Sequence, residues 1–216
     1  MSSRTCWAHT LSIERTCSGK PGQTAHVDGP HMDTLQPGHY WKTPFYWEPG
    51  CPEPPAEPSL CFEAAPDEWL RTAIGRVIET GTDESDKYNV PRIGVAAAVQ
   101  ELYDLLPLYF DRPLNWWRLA RSHVNEAVGF VLPVLFKEAR FWKEGKPQGT
   151  IFYMGVLPEF RGQGHALELV HEATRLFVAA GCWRIFCDTG TDNTPMVRAF
   201  RQAGYVERNP WQRPLD

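Results

Sequence analysis

The chain has 216 residues, 43% of them apolar and 22% charged, which suits a soluble globular protein of one domain, or one domain with an appendage. At this length about 70% of the unfolded surface can be buried, so a core requires neither disulfides nor metals. With 22 Lys+Arg against 26 Asp+Glu the net charge is −4, which argues against a protein that holds nucleic acid by bulk charge. No apolar run approaches the roughly 18 residues of a membrane span, and MSSRTCWAHT at the start lacks the apolar region of a secretory signal. A cytoplasmic location is expected, with the six cysteines reduced.

Residues 1–31 are rich in Ser, Thr, Gly and His and lack apolar periodicity, so they read as a disordered tail, with Met32 as an alternative start. Cys6, His9, Cys17, His26 and His31 invite a zinc reading, but the close-paired spacing of zinc ligands is missing and no metal is expected. Residues 32–216 are expected to form the folded domain. In it HYWKTPFYW (39–47) is a short strand or a docking segment, and EPGCPEPPAEPS (48–59) is an extended Pro-rich connection. LCFEAA (60–65) reads as a strand. Pro66 opens a helix with Leu70, Ile74, Val77 and Ile78 on one stripe. TDESDKYN (82–89) reads as an exposed polar loop, and 92–109 as a second helix with Ile93, Ala97, Leu102, Leu105 and Leu106 inward.

The texture then changes to strands. NWWRLARS (115–122) and EAVGFVLPVLF (126–136) form a hairpin, and Pro133 demands a bulge or an edge. TIFYMGVLP (150–158) is a strand, 162–181 a long helix ended by Gly181, CWRIFCDT (182–189) a strand, 194–203 a helix and 204–212 a last strand. Strands and helices alternating after an antiparallel hairpin predict an α/β chain with a mixed sheet and helices packed on it.

The segment Val156-Leu157-Pro158-Glu159-Phe160-Arg161-Gly162-Gln163-Gly164-His165-Ala166 carries chemistry. A strand ends, the chain turns through glycines, and a long helix begins. Such a turn leaves several N–H groups unpaired at the positive end of the helix dipole, where a phosphate group binds well. Gly162 and Gly164 allow close approach of a ligand, and Arg161 adds a fixed charge. The turn lacks the Lys-Ser/Thr pair of a nucleoside-triphosphatase loop. It also departs from the dinucleotide pattern of three glycines, although Asp188 stands near the place of that motif's acidic residue.

The order Arg161-x-x-Gly164-x-Ala166, preceded by Val156-x-Pro158, resembles the pyrophosphate loop of the GNAT superfamily of acyl-CoA-dependent N-acyltransferases. A second stretch, Asn193-Thr-Pro-Met196-x-x-x-Phe200-x-x-x-Gly204-Tyr205, is similar to that family's last helix and following strand. The resemblance covers 115–207 well, 60–114 loosely and 1–58 not at all. It implies a mixed, mostly antiparallel sheet flanked by helices and splayed between the two strands that hold the cofactor. It implies that Met154, Gly155 and Val156 pair by backbone with the pantetheine arm of acetyl-CoA. Arg161, Gly162, Gln163, Gly164, His165 and Ala166 would hold the pyrophosphate, and Asn193 would lie near the thioester. Asn193 is equally well placed to cap the helix after it.

The implied activity is N-acetyl transfer from acetyl-CoA, without a metal, to a primary amine by direct attack in a ternary complex. The amine must lose a proton, and some members of the family use a carboxylate five residues before the Asn, here Asp188. A plain role for Asp188 in holding its loop is weighed equally. Glu126 and His123 in the hairpin are further candidates, and the N–H of Val156 or its neighbour is the expected oxyanion donor. Phe200 stands where many members carry a Tyr acid, with Tyr153 and Tyr205 as substitutes. That departure keeps open a catalytically silent acyl-CoA-binding or sensing module of the same fold. Residues 137–216 carry net +2 and residues 1–136 net −6, a division that suits an anionic cofactor on one side and a cationic amine on the other. The expected partner is a small-molecule or peptide amine, with no nucleic acid and no membrane; a homodimer is left open.

Overall fold

The computed structural model describes residues 34–81 and 83–215. The expected tail over 1–31, the alternative start at Met32 and the zinc question raised by the early Cys and His residues lie outside them. HYWKTPFYW forms β1 (His39–Trp47), an interior strand of a nine-stranded sheet. Alternation accounts for this: Phe45 and Trp47 bury their rings on one face, and Tyr46 packs on the other. The Pro-rich connection leads to β2 (Cys61–Ala64). Helix α1 (Asp67–Glu79) then buries the expected stripe of Leu70, Ile74, Val77 and Ile78.

The next segment differs from its expectation. Residues 83–89 are not an exposed loop: Asp83 accepts from the N–H and the hydroxyl of Ser85 at 3.0 and 2.7 Å and so starts α2 (Glu84–Ile93). Gly94, at φ +80°, separates α2 from α3 (Val95–Tyr109). The helix expected over 92–109 therefore starts at Val95, its first two residues closing α2, and Ile93 and Ala97, both expected inward, are exposed while Ala98, Val99 and Leu106 are buried.

Short β3 (Phe110–Asp111) leads into β4 (Arg118–Arg121), β5 (Ala127–Phe136) and β6 (Gln148–Val156). Helix α4 (His165–Ala179) crosses over to β7 (Arg184–Gly190), and α5 (Thr194–Gln202), β8 (Val206–Glu207) and β9 (Trp211–Pro214) complete the order. The path across the sheet is β2-β4-β5-β6-β7-β1-β8, with β3 on β5 and β9 on β1. All of these pairings are antiparallel except β6 with β7. Helices α1 and α3 cover one face of the sheet, with Val90 of α2 against the same core. Helices α4 and α5 cover the other.

Two irregularities shape the middle of the sheet. β6 and β7 pair only through Gln148–Arg184 and Gly149–Ile185, so from Thr150 to Val156 the edge of β6 that faces β7 has no strand partner. The two strands part as expected. The bulge anticipated at Pro133 is also present: Leu132 faces Tyr153 while Pro133 faces Ile151, which leaves Phe152 as the extra residue. Phe152 and Tyr153 consequently pack on the same face, against the α1–α3 side.

Candidate active site

Below the open edge of β6 the chain passes through a 3-10 turn (Pro158–Phe160), reaches Gly162 and Gly164 at φ +78° and +85°, and enters α4. Both glycines hold a left-handed conformation that few other residues adopt, and an added Cβ on either would meet no protein atom within 4 Å. Among the described residues, the backbone N–H groups of Gly162, Gln163, Gly164, His165 and Ala166 have no hydrogen-bond partner. They lie at the start of a 15-residue helix, an arrangement that fits a diphosphate.

Arg161 does a different job from a free charge. Its Nε donates to the Val156 carbonyl at 3.2 Å, and its two terminal nitrogens donate to the Thr80 carbonyl and hydroxyl at 2.8 and 2.9 Å. Arg76 of α1 donates to both carboxylate oxygens of Glu159 at 2.8–2.9 Å. Two arginines thus join α1 to the turn. Gly155 allows the same approach higher up, because a Cβ there would lie 2.6 Å from a Val77 methyl. Leu157 donates to Val128, so the antiparallel alternation turns the N–H groups of Met154 and Val156 away from β5, into the seam beside β7.

On the α1–α3 face of this seam lies a polar cluster that sequence reasoning missed. Lys42 of β1 is buried, with its Nζ 3.4 Å from Asp188 on β7 and 3.7 Å from Asp83. Burial alone would lower the Lys42 ammonium, but the two carboxylates outweigh it and hold its pKa above the usual value. Burial likewise opposes the charge on Asp83; Lys42, Ser85 and the Gly190 N–H (3.1 Å) overcome it and bring Asp83 down to about 2. Asp86 behaves oppositely. Burial and the neighbouring Asp83 charge raise it to about 7, against smaller opposing effects of Tyr153 and Lys42. Its Oδ2 accepts from the Tyr153 hydroxyl at 2.9 Å, and burial next to that carboxylate keeps the phenol well above its ordinary range.

The expected residues are distributed unevenly. Asp188 sits in the cluster with Oδ1 beside Lys42, and its Oδ2 is buried without a hydrogen-bond partner. Glu126 and His123 are exposed in the β4–β5 turn, where Ser122 Oγ accepts from the Glu126 N–H at 3.2 Å. Among the described residues no hydrogen bond or ion pair joins either side chain to the cluster. Asn193 occupies the N-cap position of α5 without a side-chain cap bond, and its N–H donates to the Gly190 carbonyl at 2.9 Å. Phe200 is buried on the opposite face, stacked on Phe45 at 5.0 Å and tilted against Tyr205 at 5.3 Å. The Tyr205 hydroxyl shares a buried hydrogen bond with Thr174 at 2.8 Å, so of the two phenols expected as substitutes Tyr153 is the one at the seam, while Tyr40 lies beside Lys42 with the ammonium 5.5 Å from its ring. The described residues hold no group of three or more His, Cys, Asp or Glu placed to ligate a metal, and no helix among them is long and apolar enough to cross a membrane.

The signal for α2 was present in the sequence. Asp83 precedes Glu84 and Asp86, a cap followed by acidic residues in the first helical turn. Lys42 gave no such signal, since its burial depends on partners supplied by β7 and α2.

The model that describes the Acetyltransferase (GNAT) family matches residues 86–205, more than half of the chain. The fold is similar to that of a GCN5-related N-acetyltransferase from Sphaerobacter thermophilus, with a TM-score of 0.52 at 17% identity over 82% of this chain and 52% of that one. A GNAT-family acetyltransferase from Colwellia psychrerythraea gives 0.51 at 15% identity, covering 81% of this chain and 55% of its own. The chain therefore spans about half the length of these two proteins. A glucosamine N-acetyltransferase region of a fungal multi-domain β-N-acetylglucosaminidase gives 0.51 at 14% identity, over 98% of this chain and 23% of that one.

Proposed function

The chain belongs to the GNAT acetyltransferase family, and from that premise we propose that it moves an acetyl group from acetyl-CoA to a primary amine of a small molecule or peptide. The observation that carries the reading is the seam itself. An open edge of β6 stands directly above a turn with five unpaired N–H groups, and a carboxylate cluster lies on the face that α4 and α5 leave free.

Acetyl-CoA supplies the acyl group as a thioester, and the residues present suit its parts. The N–H groups of Gly162, Gln163, Gly164, His165 and Ala166 take the pyrophosphate. Arg161 holds their turn against Thr80. Met154, Gly155 and Val156 present the strand edge for the pantetheine amides, and the N–H of Val156 or Met154 faces the place where the thioester oxygen gains charge. Asn193 closes the seam from the start of α5. The acceptor enters from the α1–α3 face, where the surrounding carboxylates attract an ammonium group. Asp188, beside Lys42, contributes to that field and holds the lysine in place.

A silent acyl-CoA binder is the second reading, favoured by the buried Phe200 ring where a phenol acid is common in the family. Calorimetry with CoA and an assay of amine-dependent thiol release separate the two: binding with release supports the transferase, and binding without release across amino sugars, polyamines, amino acids and peptides supports the binder.

A further inference from the structure

Three carboxylates and one ammonium meet at the seam, and they are not equivalent. Asp83 and Asp188 flank Lys42 at 3.7 and 3.4 Å. Asp83 is further tied to Ser85 and to the Gly190 N–H. A carboxylate held beside an ammonium is a poor proton acceptor. Asp86 has no ion-pair partner among the described residues. Its Oδ2 is held by the hydroxyl of Tyr153, which the bulge at Phe152 turns onto this face. Tyr153 directly precedes Met154, whose N–H faces the seam. Helices α4 and α5 cover the other face, so the Asp86–Tyr153 pair stands on the opposite side of the seam from them, next to the strand edge that Met154 continues.

We propose that Asp86 is the proton acceptor for the attacking amine and that Tyr153 positions its carboxylate. This rests on the acyltransferase reading above. One proton of the incoming ammonium passes to the Asp86 carboxylate. The freed nitrogen pair then forms the C–N bond at the thioester carbon. As the C–S bond breaks, its electron pair leaves on sulfur. The second nitrogen proton ends on the thiolate, and Asp86 returns its own proton to water. A carboxylate raised to about 7 is matched to this exchange near neutral pH. The groups that set its proton affinity are Asp83 on its own helix end, Lys42 from β1, Tyr153 from β6 and, through Lys42, Asp188 from β7. Arg161 acts on Tyr153 from the turn below.

The test is the pH profile of kcat/KM for the full chain with acetyl-CoA and the best amine of the panel, with CoA affinity measured calorimetrically for each variant. The wild type should lose activity below about pH 7, where Asp86 is protonated. Asp86→Asn should lose about 10²–10⁴-fold at pH 7 and recover toward pH 10, where the amine deprotonates itself. Tyr153→Phe should move the acidic limb to higher pH, because its hydroxyl favours the charged carboxylate. Both variants should bind CoA as the wild type does. An unchanged limb and rate in Asp86→Asn overturns the inference while leaving the transferase reading intact. A wild type that binds CoA but never releases thiol overturns both. If Asp86→Asn melts early, the direction of the Tyr153→Phe limb decides, and a limb that stays in place contradicts the proposal.

Discussion

Arg161 donates to both the carbonyl and the hydroxyl of Thr80, at 2.8 and 2.9 Å, and so locks the end of α1 to the turn that starts α4. With its third nitrogen on the Val156 carbonyl, one guanidinium ties the end of α1 and the end of β6 to this turn. Its contribution is geometric, and a lysine cannot reproduce a three-point fork. Arg161→Lys should therefore weaken CoA binding about tenfold, nearly as much as Arg161→Ala. Calorimetry checks this; full affinity in the lysine variant would mean that charge alone matters at this position.

Gly164→Val separates backbone strain from ligand contact. The φ of +85° at this residue costs a side-chain-bearing residue about 1–2 kcal/mol, and the new Cβ touches no protein atom. Stability against thermal unfolding should fall by that modest amount. CoA affinity should fall by more than tenfold, because the branched side chain fills the space before the unpaired N–H groups. Equal losses in both measurements would show that the turn is only a structural corner.

Lys42 is the keystone of the buried cluster in the energetic sense. Lys42→Met leaves Asp83 and Asp188 without their ammonium, a change worth about 3–5 kcal/mol of stability when one partner of a buried pair is removed. Adding Asp83→Asn should restore part of it. Asp83 also fixes a pH window. Its carboxyl is held down to about 2 from an ordinary 3.8, so its stabilisation is present above pH 4 and is lost as pH falls through 2. Denaturant unfolding of the wild type should show this acid loss, and Lys42→Met should show much less of it.

Asp86 has the opposite sign. Its folded pKa is raised to about 7, so the favourable contribution is complete below pH 4 and disappears as pH rises through 7. Asp86→Asn should match the wild type near pH 4 and exceed it in stability at pH 8. Urea unfolding at the two values measures the difference. A variant less stable than the wild type at pH 8 would contradict the raised carboxyl.

Local signals carried much of this architecture. The stripe of Leu70, Ile74, Val77 and Ile78, the bulge at Pro133 and the glycine turn before α4 each arise from spacing within a few residues. The cluster does not. Lys42, Asp83, Asp86 and Asp188 come from β1, the start of α2 and β7, and no periodicity distinguishes a charged residue that faces a seam from one that faces solvent. A run such as Asp83-Glu84-Ser85-Asp86 looks solvated until Lys42 and Tyr153 are known to stand opposite it. β1 was obscure for the same reason, because its place between β7 and β8 is a long-range pairing.

The central claim is that this seam joins an acyl thioester to an amine, and amine-dependent release of free CoA from acetyl-CoA measures it most directly, with the acetylated amine identified by mass. Thiol and acetylated amine should appear in equal amounts for at least one cationic primary amine, reduced by Gly164→Val in step with CoA affinity. CoA binding without thiol release for any amine in the panel would contradict that claim.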